Sequence, residues 1–172
     1  IFHQSGPCPV GPSPRACLET VREALEAWNA PGCSDLYVRF GGRTDESAAD
    51  RRGRERDGVN AIVFGRAKRE PGESHGNYSS ISYDRISGEI LDADIVLDIV
   101  PEQHTTDDLY DVLVHEVGHA LGLDHALHTG AVMYRFHRPG PGRRRLSPDD
   151  VRALCHVYPA GHVHRSGLPE RR

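Results

Sequence analysis

The chain has 172 residues, a formal charge of -4 at neutral pH and four cysteines, enough length for one domain with a buried core and too little for two. So weak a net charge gives no reason to expect nucleic acid or an anionic membrane surface as a partner. No apolar run approaches the ~20 residues that a membrane span needs.

No charged-then-apolar leader is visible and the chain opens at Ile1, so a processed or trimmed form is expected, its targeting and pro-segments already removed. Ile1 to Gln4 reads as a short strand, followed by a Gly/Pro-rich loop to Pro14. Ser13-Pro14 is an N-cap with proline at the first helical position. Cys17, Val21, Ala24, Leu25 and Trp28 then recur at helical spacing and predict an amphipathic helix over 15–29, ended before Pro31-Gly32. Asp35 to Phe40 alternates as a strand does. Residues 41–58 are polar and charged and read as a surface loop, with Arg51, Arg52, Arg54 and Arg56 solvated among acidic residues.

Asn60 to Phe64 is a continuous apolar run suited to a central buried strand. Asn77 to Tyr83 alternates like a half-exposed edge strand, and Asp84 to Gly88 is turn material. Ile90 to Asp98 is a further strand. Its carboxylates Asp92, Asp94 and Asp98 are read as facing solvent, in preference to holding calcium. Thr105 to Asp108 supplies capping groups and negative charge at the start of a second helix. Leu109, Val112, Leu113 and Leu121 form its apolar face, and Gly122 stops it. Ser147-Pro148 opens a third helix that turns Val151, Leu154, Cys155 and Tyr158 inward, and a polar tail follows from Pro159. With no internal repeat, this order of strands and helices defines a single α+β unit.

None of Cys8, Cys17, Cys33 and Cys155 lies in a CxxC pair, which argues against a thiolate zinc site. Two disulfides and an oxidising compartment are expected, hence secretion. A helix over 15–29 holds Cys17 and Cys33 ~20 Å apart, beyond a disulfide's reach. Of the two pairings that remain, Cys8–Cys17 with Cys33–Cys155 is preferred over Cys8–Cys33 with Cys17–Cys155. The preferred set closes a short Pro-rich loop and ties the first helix to the last.

On the second helix His115 and His119 stand four residues apart, about 40° round the axis and one turn along it, so both imidazoles can reach one ion. A continued helix would turn His125 away; Gly122 lets the chain break and return it. Three histidines leave a fourth position for water, the mark of a catalytic zinc site. Glu116, beside the metal but not on it, suits a general base. The remaining histidines, His75, His104, His128, His137, His156, His162 and His164, are read as ordinary surface or core side chains.

Residues His115 to His125 resemble the metzincin signature HExxHxxGxxH. Ala131-Val132-Met133-Tyr134 is similar to the Met-turn that follows it, which puts Met133 beneath the zinc. His119 to His125, the Met-Tyr pair and Leu146 to Asp150 resemble matrixins within that clan, over about Ile1 to Pro159. The resemblance implies a twisted mixed sheet of about five strands with three helices, and an active-site helix under a horizontal cleft. The catalytic domain is accordingly assigned to 1–159 and the polar tail to 160–172.

Arg135 stands where astacins and serralysins carry a tyrosine ligand, so no fifth ligand is expected. Ala126 departs from the serine usual after the third histidine. The strand Gly76 to Ile81 lacks the residues that hold a second zinc in animal matrixins, so one zinc is expected, and the divergence suits a bacterial enzyme. The function implied is secreted endopeptidase action through a zinc-activated water with Glu116 as base. The substrate cleft would use Tyr78, Ser79, Ser80 and Ile81 on the edge strand with Val114, Tyr134 and Phe136. Inward arginines among Arg143 to Arg145 would favour an acidic side chain after the cut; outward ones leave an apolar pocket, the preferred reading. The alternative class, a non-catalytic zinc-binding module, is expected to lack the glutamate that Glu116 retains. Proteins or peptides are the expected partners, and with no exposed heptad a monomer is expected.

Overall fold

The computed structural model describes residues 1–44, 57–65, 76–99, 104–136 and 145–161. Arg51, Arg52, Arg54, Arg56, Arg143, Arg144, His75, His137, His162, His164 and the tail from 162 lie outside the described residues.

Five strands form one mixed sheet: β1 (Phe2–Ser5), β2 (Phe40–Thr44), β3 (Asn60–Phe64), β4 (Tyr78–Tyr83) and β5 (Ile90–Leu97). Their order is β2-β1-β3-β5-β4. The first four in that order run parallel, and β4 lies antiparallel on the edge beside β5. Three helices accompany it: α1 (Pro14–Ala27), α2 (Thr106–Ala120) and α3 (Pro148–Val157). The α+β architecture is the one expected.

Each helix starts at a side-chain cap. Ser13 Oγ accepts from Ala16 N, and Thr105 and Ser147 form reciprocal capping boxes with Asp108 and Asp150. One apolar stripe of α1 (Cys17, Val21, Ala24, Leu25) and the adjoining Trp28 is wholly buried, joining Ile62, Ile95, Leu109, Leu113 and Val117 in one core. Trp28 Nε1 donates to Val114 O at 3.0 Å, so the core tryptophan also fixes the depth of α2. Tyr78 packs on Ala61, Val63 and Val96 in a smaller cluster. Cys8 pairs with Cys17 and Cys33 with Cys155, the Cα atoms 6.0 and 5.6 Å apart.

Two expectations are corrected. The strand near residue 40 runs from Phe40 to Thr44; Asp35 to Arg39 belongs to no strand, and 41–44 is not loop. The Val38 backbone N–H and C=O are both taken by the Asn29 side chain at 2.7 Å, so it needs no strand partner. Two glycines stand in β2 for different reasons: a Cβ at Gly41 would meet the His3 imidazole of β1 at 2.6 Å, and Gly42 sits at φ +107°. The second correction concerns β5. Asp92 and Asp94 do not face solvent; they are 5% and 3% exposed. Their carboxylates accept from Gly58 N at 3.1 Å and Ala61 N at 3.0 Å, satisfying backbone donors at the start of β3.

Candidate active site

The last two turns of α2 carry His115, Glu116 and His119. The helix then ends in a Schellman turn, with Gly122 N donating to His119 O at 2.8 Å and Leu123 N to Gly118 O at 3.0 Å. Gly122 sits at φ +82°, a conformation that favours glycine. This reversal carries Asp124 and His125 back over the helix. His125 N donates to Asp124 Oδ1 at 2.6 Å, which braces the returning segment.

The three histidines converge. One ring nitrogen from each lies within 4.8 Å of the others, and His119 Nε2 is 3.2 Å from His125 Nε2. Two nitrogens bound tetrahedrally at ~2.05 Å to one zinc would stand about 3.3 Å apart, so the pair fits that ion. The opposite ring edges are tied to backbone: His115 Nδ1 to Val132 O and His119 Nδ1 to Leu123 O, both at 2.8 Å. As carbonyls only accept, these bonds put the proton on Nδ1 and leave Nε2 as the donor for a metal. The pKa of His125 is lowered by desolvation first, then by His119 and Arg135, against Asp124. The shift favours the neutral imidazole, the form a metal takes.

Met133 is 2% exposed, and its sulfur lies against α2 at Gly118, one residue before His119. A Cβ at Gly118 would collide with that sulfur and stand 2.7 Å from Trp28 Cζ2. The methionine turn is held from α3. The buried Asp150 carboxylate accepts from Val132 N at 2.9 Å, Met133 N at 3.0 Å and Ser147 N at 2.7 Å. A single residue, Val132, thus links Asp150 through its N–H to His115 through its C=O.

Glu116 is 7% exposed. Its pKa is raised by desolvation, opposed by the hydrogen bond from Ser79 and by His119. Ser79 Oγ, on β4, lies 2.8 Å from Glu116 Oε2 and 2.8 Å from Glu116 O. A cleft of about 590 Å³ runs past these groups and is lined by Tyr78, Ser79, Ile81, Val114 and Tyr134. Ser80, on the alternate face of β4, and the exposed Phe136 are not in its wall. Asp111, one helical turn before His115, is a carboxylate in the wall that the spacing argument passed over. Asp150 was legible only as a helix cap, and Ser79 only as a cleft residue of the edge strand, not as a partner of Glu116. Among the described residues the three histidines are the one group of His, Cys, Asp or Glu close enough to hold a metal.

A helix-borne HExxH pair returning a third histidine through a glycine turn, under an antiparallel edge strand, is the arrangement of a zinc metallopeptidase domain. The chain belongs to the matrixin family, whose peptidase model matches residues 14–159. It is 34% identical over 80 residues to the probable matrix metalloproteinase 095L of Invertebrate iridescent virus 3, covering 42% of this chain and 22% of that protein. Macrophage metalloelastase of Oryctolagus cuniculus is 27% identical over 158 residues, 84% of this chain and 29% of the relative. Stromelysin-1 of Equus caballus is 47% identical over 49 residues, 27% and 10%. The chain thus spans less than a third of the length of the curated relatives it matches. Zinc is the family's catalytic metal, and the histidine geometry accepts it.

Proposed function

We propose that the chain is the catalytic domain, residues 1–159, of a secreted zinc-dependent endopeptidase that cuts internal bonds of protein or peptide substrates. The observation that carries this reading is the buried Glu116 carboxylate beside three converging imidazoles on an open cleft. The three relatives compared bear the printed names metalloproteinase, metalloelastase and stromelysin, which supports the same chemistry.

His115, His119 and His125 would hold the metal through their Nε2 atoms. Bound zinc supplies Lewis acidity that activates a water and polarises the scissile carbonyl. Glu116 takes the proton released at the attacking water and delivers it to the leaving amine nitrogen. Burial favours this exchange, because a carboxylate pushed above its ordinary pKa gives and takes protons closer to neutral pH. The extended substrate lies along the free edge of β4 and adds to the sheet through backbone hydrogen bonds, with Ser79, Ile81, Val114 and Tyr134 around its side chains. Secretion is supported by the two disulfides. Among the described residues, no helix is long and apolar enough to cross a membrane.

The test is cleavage of unfolded casein by the wild type and Glu116→Ala, with zinc content measured for both. Zinc in both and cutting by the wild type alone is the expected result. Zinc in both and cutting by neither, across a broad protein panel, would favour a binding module instead.

A further inference from the structure

On the peptidase reading above, a second residue serves the base. We propose that Ser79 is a positioning residue for Glu116, holding its carboxylate in the orientation that proton transfer requires. Three observations converge on it. Ser79 Oγ lies 2.8 Å from Glu116 Oε2, and among the described residues it is the one side chain hydrogen-bonded to that carboxylate. The same oxygen lies 2.8 Å from the Glu116 carbonyl, so one hydroxyl spans both ends of the residue. Ser79 itself is anchored, since it sits in β4 directly opposite the fully buried Ile95 of β5.

The terminal torsion of a glutamate is broad, and a carboxylate held only by its stem turns freely about it. Proton transfer needs an oxygen within hydrogen-bond reach of the water, so free rotation lowers the fraction of productive encounters. The serine hydroxyl removes that freedom. Its paired acceptors also let it follow the chemistry. It donates to the ionised carboxylate, and once Glu116 carries the proton it accepts from the acid and turns its own hydrogen to the Glu116 carbonyl. No polar group is stranded in either state. Because β4 is also the strand on which substrate would lie, the contact sets the base relative to the bound peptide.

The test uses the zinc-loaded chain with Ser79→Ala, Ser79→Val and Ser79→Thr, assayed on an internally quenched peptide containing a cleavage site mapped in casein. Valine and threonine share one shape and differ by the hydroxyl. Loss of a hydrogen bond to a charged group corresponds to a kcat lower by about 10- to 100-fold in the alanine and valine variants, with zinc content held. Threonine is expected to restore most of the rate. Wild-type kcat in the alanine and valine variants, a change confined to KM, or a threonine variant as slow as valine would overturn the proposal. A zinc-loaded wild type that cuts nothing would overturn the peptidase reading, and this inference with it.

Discussion

Glu116 is held in a setting that costs stability. Its pKa is raised from an ordinary 4.5, chiefly by desolvation. Between that value and the raised one the folded metal-free chain binds more protons than the unfolded chain, so its stability falls as pH rises through the window. Above the window the ionised carboxylate is buried at a net cost. Glu116→Gln removes the charge while keeping the shape. The metal-free Gln variant should therefore melt higher than the wild type at pH 8, and the gain should shrink as pH falls toward 4. A gain that does not change with pH, in thermal melts of the chelated proteins, would contradict this. Glu116 could be singled out as the candidate base because it shares one helix with His115 and His119, where spacing fixes direction. Ser79 could not be singled out as its partner, since nothing in the local pattern of either strand or helix reports a contact between residues so far apart in the chain.

At the scale of elements, α3 is a support for the active site as much as a helix. Asp150 stands at the third position of its capping box and also accepts two backbone hydrogen bonds from the methionine turn. The neutral amide in Asp150→Asn offers one acceptor oxygen where three donors need it. A loss of about 1.5–3 kcal/mol is expected, since the hydrogen bonds involved are to a charged group. Urea unfolding of the metal-free chain measures it, and zinc affinity should fall as well, because Val132 O orients His115. An unchanged zinc affinity would dissociate the turn from the metal site. All three helices could be read from caps and apolar spacing, which are local signals. β2 could not. Its glycines lower strand propensity, and the reasons for them are the closeness of β1 at Gly41, a contact across the sheet, and the positive φ of Gly42. Asp92 and Asp94 misled for a similar cause: alternation suggests a solvent face, whereas these carboxylates accept from the N–H groups of Gly58, just before β3, and Ala61, within it.

Across the whole molecule, two cross-links of very different span hold the chain. Cys8–Cys17 joins residues 9 apart and Cys33–Cys155 residues 122 apart. Loop-closure entropy gives about 2.6 kcal/mol for the short link and about 4.9 kcal/mol for the long one. The Cys33→Ser/Cys155→Ser pair should therefore unfold at lower urea than Cys8→Ser/Cys17→Ser. The reverse order in equilibrium unfolding would show that native-state packing, not chain entropy, decides. This pairing was legible in part, because helix length alone excludes one of the three connectivities. The central claim is that a single zinc on His115, His119 and His125 makes this domain a peptidase. Its most direct measurement is cleavage of a quenched peptide after the zinc is chelated away and returned stepwise. The account predicts that activity vanishes with the metal and returns in full at about one zinc per chain, with no return in His119→Ala. Cleavage that survives metal removal, or that His119→Ala recovers with zinc, would contradict it.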